Sequence, residues 1–308
     1  MTTGIGDVTR EEVTSQSTAA AGAAVEPSPA ASSAREVWRR FAENKLALLG
    51  IALIGVLIFT AMFAPLLAPY DPYDQDLANT LAPPSSEHWL GTDPLGRDQL
   101  SRLIYGSRIA VIVGIASIAL ATIIGVGLGA LAGWYGGRVD SVVMRVADVF
   151  FAFPLLIGAI VIILVLGRGV LPVVLSLAIF SWATVARLQR SSILSVRESD
   201  YVMAARALGA GGWRLVSRHV LPNSFAPVLV YATFSVGVAV VAEASLSFLG
   251  VGVKADVPEW GNMISVGRSF VGSNDYLWLF PSLAVVLTVL GFVFAGDGLR
   301  DALDPRLT

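Results

Sequence analysis

The chain has no cysteine and only two histidines among its 308 residues. The first absence removes disulfide frameworks, thiolate metal sites and cysteine nucleophiles. The second leaves His88 and His219, neither in an H-E-x-x-H arrangement, so zinc hydrolysis has no ligand set. No G-x-S-x-G is present, which removes the serine-hydrolase elbow. Charge is scarce as well: 14% of residues are charged against 55% hydrophobic, and the mean hydropathy is +0.71. That balance excludes an ordinary soluble domain. The net charge of −2 says little about partners, because in a membrane protein the distribution of charge matters more than its sum.

What is abundant is hydrocarbon. A helix needs about 20 mostly apolar residues to cross a bilayer, since every backbone polar group must be satisfied within the segment. Six stretches qualify, at about 46–68, 109–132, 149–166, 170–186, 225–250 and 277–296. No signal peptide is expected, because the first apolar run starts near Leu46 and no small-residue cleavage site follows it. Residues 1–34, rich in Ala, Ser, Thr, Glu and Pro, lack the branched and aromatic side chains of a core and are expected to form a disordered tail.

A cytoplasmic N-terminus places 15 of the 21 basic residues inside, among them Arg10, Arg39, Arg138, Arg187, Arg218 and Arg306. The asymmetry predicts both termini in the cytoplasm. Two long outer loops follow, at about 69–108 and 251–276, and one long inner loop at about 187–223. The inner loop cannot be a seventh span. Arg197, Glu198, Asp200, Arg206, Arg214 and Arg218 would together cost about 15–20 kcal/mol at mid-bilayer.

The stretch "GTDPLGRDQ" at 91–99 has the glycine spacing of a phosphate loop, but Arg97 stands where the Lys belongs and Asp98 where a Ser or Thr should hold magnesium. It is not a nucleotide site. Ionisable residues inside spans are candidates for function by default. Asp148, before "VFFAFP", and Glu243, in "VVAEASLSFLG", are therefore candidates for the translocation path, with helix packing as the alternative. Gly114, Gly125, Gly129 and Gly133 predict close helix approach, within the chain or against a partner subunit.

In the inner loop, "SDYVMAARAL" at 199–208 predicts a short helix, with Gly209 as a C-cap that takes positive φ freely. A second short helix, "WRLVSRHVL", is expected to stop at Pro222, which disfavours helical geometry at Leu221. Ala204 and Ala205 beside Met203 and Leu208 suit a groove on another protein, with a re-entrant or interfacial helix lying on the lipid surface as the alternative.

"MAARALG" followed by nine residues and "HVLP" resembles the cytoplasmic E-A-A-x-x-x-G-x9-I-x-L-P signature of binding-protein-dependent ABC importer permeases. Ala204, Ala205, Gly209, Leu221 and Pro222 match; Met203 replaces the Glu and His219 the Ile. "HWLGTDPLGRDQLSRLIYGSR" (88–108), "EASLSFLGVGV" (243–253), "PEWGNMI" (258–264) and "GDGLRDALDPR" (296–306) resemble the C-type permease subunits of dipeptide, oligopeptide and nickel importers. The resemblance runs from about Arg35 to the C-terminus.

It implies an all-α membrane protein with six transmembrane helices, the type I ABC importer permease fold, and a cytoplasmic coupling helix. Residues 35–107 would form an N-terminal helix, the first span and an outer loop; 108–297 would form the transporter's transmembrane domain, and 298–308 a cytoplasmic tail. The implied function is a non-catalytic permease subunit of a bacterial plasma-membrane importer of dipeptides or oligopeptides. Implied partners are a second, B-type permease, two ATPase subunits that bind ATP and Mg, and an external substrate-binding protein; no cofactor is expected in this chain and no nucleic acid is a partner. Met203, Ala204, Ala205, Leu208, Gly209, Leu221 and Pro222 would couple to the ATPase. With Met203 in place of Glu, the loop must be anchored by apolar packing or by Glu198 and Asp200. Trp89, Trp260 and Trp278 are expected as interfacial anchors. A self-contained secondary transporter or channel, or an intramembrane hydrolase, are the rival readings.

Overall fold

The computed structural model describes residues 34–303. The tail expected over 1–34 lies outside them except for Ala34, and so do Arg10 and Arg306. Among the described residues there is no strand, only an isolated antiparallel bridge between Thr92 and Asp98.

Helix α1 (Ala34–Glu43) leads through Asn44 into α2 (Lys45–Met62). Asn44 caps α2 by accepting hydrogen bonds from the Leu46 and Ala47 amides at 3.0 and 3.2 Å, as a short amide side chain at an N-cap does. A short α3 (Ala64–Leu67) ends this span. A long loop then reaches α4 (Gln99–Tyr135), which runs 37 residues, or roughly 55 Å at 1.5 Å per residue.

The third apolar stretch departs from the expected straight span over 149–166. Helix α5 (Gly137–Phe151) and helix α6 (Leu155–Leu166) meet at an angle of 89°. Pro154 takes extended geometry, φ −59° and ψ 131°, and its missing N–H breaks the ladder. The twelve residues of α6 measure roughly 18 Å, too short to cross about 30 Å of hydrocarbon alone. Counted as one span, the pair is broken at Pro154, and its charged half is α5.

Helix α7 (Val170–Arg197) runs eleven residues past the expected end at 186, so the first part of the expected inner loop is helical. After the short elements described below come α11 (Ala226–Phe248), α12 (Trp260–Gly267) and α13 (Tyr276–Leu303). Residues 298–303, expected in a tail, complete α13. Five helices, α2, α4, α7, α11 and α13, are each long and apolar enough to cross a membrane, six with the bent pair counted as one span. The chain is a multi-pass membrane protein.

The small residues of α4 do their packing inside the chain. A Cβ on Gly125 would lie 2.5 Å from that of Val185, and one on Gly129 would lie 2.4 Å from the Ala186 carbonyl oxygen. Ala121, Ala178, Ala183 and Ala186 are fully buried along the same seam. In lipid, where burial of hydrocarbon gains little, this backbone contact is what holds α4 to α7. Gly114 faces Val236 and Val240 of α11. No part of the glycine stripe is left over for a partner subunit.

Candidate functional site

At the end of the bundle where α1 begins and α13 ends, α7 turns into a compact element. Helix α8 (Asp200–Ala207) closes with a Schellman motif: the Gly209 amide donates to Arg206 O at 3.0 Å and the Ala210 amide to Ala205 O at 3.1 Å. Gly209 has φ +84°, as its expected capping role requires. Helix α9 (Gly212–Leu215) continues as a π turn over Val216–Val220 and then α10 (Leu221–Ser224).

The expected stop at Pro222 does not occur. Leu221 is helical, with φ −61° and ψ −47°, and Pro222 sits in the first turn of α10. A proline has no amide to give the residue four back. The π turn, whose wider ring is closed by the Leu221 amide on Val216 O, makes room for it and keeps the chain helical.

Ile193, Val202, Leu215 and Val220 are buried together, with Trp134, Ala205 and Leu221 packed around them. Arg197 donates to the carbonyls of Gly133 and Trp134 at 3.2 and 3.3 Å, and Arg206 stacks 5.6 Å over the Trp134 ring. Of the two anchors expected in place of the family's Glu, the apolar one is present, since Val202 is completely buried. The predicted coupling residues divide. Ala205 and Leu221 are half-buried in the element's own core, whereas Met203, Ala204, Leu208, Gly209 and Pro222 are exposed. Leu208 is 89% exposed, and Trp213, which the sequence reading passed over, is 81% exposed.

The two carboxylates proposed for the path lie in different surroundings. Glu243 is buried at 2% exposure, and Ser247 donates to it at 3.2 Å. It belongs to the packing of α11 against α12. There Glu259 caps α12 by accepting from the Gly261 amide and, at 2.8 Å, from the Asn262 amide. Burial raises the Glu259 carboxyl above its usual range, while those two backbone amides pull the other way.

Asp148 is exposed. It pairs with Arg187 at 2.7 Å, with both side chains at least half exposed, and the guanidinium stands 4.1 Å over the Phe151 ring. One turn on, Arg190 pairs with Asp140 through two contacts, one of 2.6 Å, with both side chains partly buried. Phe151 borders a cavity of about 350 Å³ between α4, α5, α7 and α11, lined also by Phe150, Phe180, Tyr231, Phe234, Ser181 and Thr184. Arg187 entered the sequence reading only through the count of charges. Its seven-residue spacing from Phe180 and three-residue spacing from Thr184 place all three on one helix face.

At the opposite end, "GTDPLGRDQ" is a capping turn. Asp93 accepts from the Leu95 and Arg97 amides at 2.8 and 3.0 Å and from Arg97 Nε at 2.6 Å. Asp98 caps α4 through the Ser101 amide at 2.7 Å and accepts from His88 Nδ1 at 2.9 Å. Gly96, at φ +72°, lies so close to the chain that a Cβ would fall 1.8 Å from Asp76 O. Arg102, 2% exposed, donates to Pro72 O at 2.9 Å. Of the three tryptophans expected as interfacial anchors, Trp89 is 70% exposed, but Trp260 is buried at 4% and donates to Leu103 O at 2.9 Å. Trp278 is half-buried and donates to Asp275. Trp260 is thus a clamp between α12 and α4, not an anchor.

The comparisons agree with this geometry. Residues 125–308 match the family described as the binding-protein-dependent transport system inner membrane component, and residues 32–84 match the N-terminal TM domain of oligopeptide transport permease C. The dipeptide transport system permease protein DppC of Alkalihalophilus pseudofirmus is 42% identical over 89% of this chain and 90% of its own length. The glutathione transport system permease protein GsiD of Pectobacterium atrosepticum is 44% identical over 89% and 91%. The oligopeptide transport system permease protein OppC of Bacillus subtilis is 40% identical over 89% and 90%. A chain of the MetNI methionine ABC transporter in an inward-facing conformation shares the fold, with a TM-score of 0.52 at 19% identity over 65% of this chain and 96% of that one. The chain thus belongs to the inner-membrane components of binding-protein-dependent transport systems, as a non-catalytic, DppC/OppC-like permease subunit of an ABC importer.

Proposed function

We propose that this chain forms half of a translocation path for dipeptides or oligopeptides across the bacterial plasma membrane, with both termini in the cytoplasm. A second, B-type permease encloses the other half. Two ATPase subunits, which hold ATP and Mg, dock on the cytoplasmic end, and an external binding protein delivers substrate to the loops between α3 and α4 and around α12. Helix α8 is the coupling helix, and α9 and α10 brace it. The chain itself holds no cofactor.

The observation that carries this reading is the form of the α8–α10 element. It is folded around its own core, tied to α4 and α7, and still presents Met203, Leu208 and Trp213 unburied. A single-chain transporter has no use for such a face, whereas a rigid body that must follow an ATPase needs one. The peptide names of the relatives support the substrate class, and the skew of basic residues supports the orientation.

The test is crosslinking of a cysteine at position 204 or 208 to the ATPase in the assembled complex, together with ATP-dependent peptide uptake into liposomes. We expect a nucleotide-sensitive crosslink and uptake that requires the binding protein. Uptake without ATPase subunits would overturn the reading.

A further inference from the structure

The Asp148–Arg187 pair has no role in the fold that its geometry requires. Both side chains are at least half exposed, and α5 and α7 are already joined by the Arg190–Asp140 pair. Yet Arg187 lies 17 residues from Val170, the first residue of α7, or roughly 25 Å along the helix. With Val170 set at the outer edge of about 30 Å of hydrocarbon, the pair falls at the inner margin of the membrane. Charges at such a depth reach out to the interface or face protein or a water-filled path, and the seat of Arg187 on the Phe151 ring turns this one toward the protein.

Arg187 rests against a ring that lines the aromatic cavity. Asp148 and Phe151 are three residues apart on α5, and Arg187 covers the Phe151 ring at 4.1 Å. The cavity, about 350 Å³, is of the size that takes a small ligand. Phe180, Tyr231 and Phe234 give it rings, Ser181 and Thr184 give it hydroxyls, and no charge lies among its lining residues. Beside this lining, against Phe151, stands one charge of each sign, 2.7 Å apart. An ion pair that open to water is worth little, so either member exchanges partners readily.

We propose that Asp148 and Arg187 are exchangeable contacts for the charged ends of a passing peptide, Arg187 taking the terminal carboxylate and Asp148 the terminal ammonium, while side chains of varied shape slide over the aromatic wall. An apolar wall with a charged pair beside it recognises what all peptides share and ignores what distinguishes them. This rests on the peptide reading above. It makes Arg187 and Asp148 substrate-contacting residues of this subunit.

The experiment uses the full complex in liposomes with its external binding protein. Initial uptake of one tripeptide is compared as the free acid and as the C-terminal amide. In Arg187→Gln, we expect the ratio of acid to amide uptake to fall about tenfold relative to the unaltered complex; in Asp148→Asn, the same fall is expected for the free amine against the N-acetylated peptide. Equal losses for both members of a pair would make Asp148–Arg187 a structural clamp and overturn the proposal, as would unchanged ratios. Where the binding protein refuses a blocked peptide, Phe234→p-benzoylphenylalanine decides: a light-induced crosslink to labelled peptide during turnover is expected, and crosslinking only to the second permease overturns the assignment. An unaltered complex that imports another solute with ATP but no peptide would instead defeat the peptide reading itself.

Discussion

Replacing Leu208 by alanine separates docking from folding. The side chain is 89% exposed, so trimming it leaves the permease itself unchanged. In a groove on the ATPase, the three carbon groups removed contribute about 0.8 kcal/mol each, or roughly 2 kcal/mol in all. That is about a thirtyfold loss in the affinity of this contact, at 1.4 kcal/mol per tenfold. Val202→Ala is the counterpart. Val202 is completely buried, and losing its two methyl groups costs about 2 kcal/mol with the cavity included, but the cost falls on the stability of the α8–α10 element. The assay titrates ATPase onto the permease pair in nanodiscs and follows thermal unfolding of the permease alongside. Leu208→Ala is expected to weaken one of two ATPase sites about thirtyfold at an unchanged melting temperature. Val202→Ala is expected to lower the melting temperature first. If Leu208→Ala binds both ATPases within twofold of the parent, Leu208 does not sit in the groove and the docking face has been misassigned.

Three further outcomes follow from the packing and the caps. Gly129→Val places a branched side chain where a Cβ alone comes within 2.4 Å of Ala186 O; overpacking of about 1–3 kcal/mol or more should part α4 from α7 and show as protease sensitivity of the α4–α5 turn, whereas Gly127→Ala, at a position open for 4 Å, should be silent. Asp98→Ala removes the cap of α4 and the partner of His88, a loss of about 1–2 kcal/mol readable as a lower melting temperature; Asp98→Asn should recover part of it. Burial holds the Glu259 proton to higher pH in the folded than in the unfolded chain, so its contribution is complete below the usual 4.5 and is lost as pH rises through the folded value. Glu259→Gln should melt lower at pH 5, having one oxygen for two amides, but should lose less stability as pH is raised from there; an unchanged slope would refute the assignment.

Local signals were legible where one residue dictates the outcome. Gly209 could be read as a cap because only glycine takes φ +84° without cost, and Ser199–Asp200 marked a helix start. Pro222 was equally visible, but its effect was not, because the five residues before it absorbed the missing hydrogen bond by widening into a π turn. Hydropathy found the spans, but it merged Val149–Phe151 with Leu155–Leu166 across a right-angle bend, since apolar residues score alike on both sides of Pro154. Contacts between distant positions were out of reach. The partner of Arg187 is 39 residues away and that of Trp260 is 157; no spacing rule connects them, and Trp260 read as an interfacial anchor until Leu103 came within reach of its indole. The same distance hid the division of "MAARALG" into an inward Ala205 and an outward Leu208.

The length of α4 has a mechanical consequence. One end is gripped by Arg197 at the end of α7 and by Arg206 of α8, and the other is set into the Asp93–Asp98 turn beside Trp260. Between them are 37 residues of uninterrupted helix, locked along its flank to α7. Such a rod is a lever: a tilt of about 5° imposed at the Trp134 end moves the Gln99 end by roughly 5 Å over a length of about 55 Å. A displacement of that size reaches from one side of the bilayer to the other in one rigid step, with no relay of side chains between.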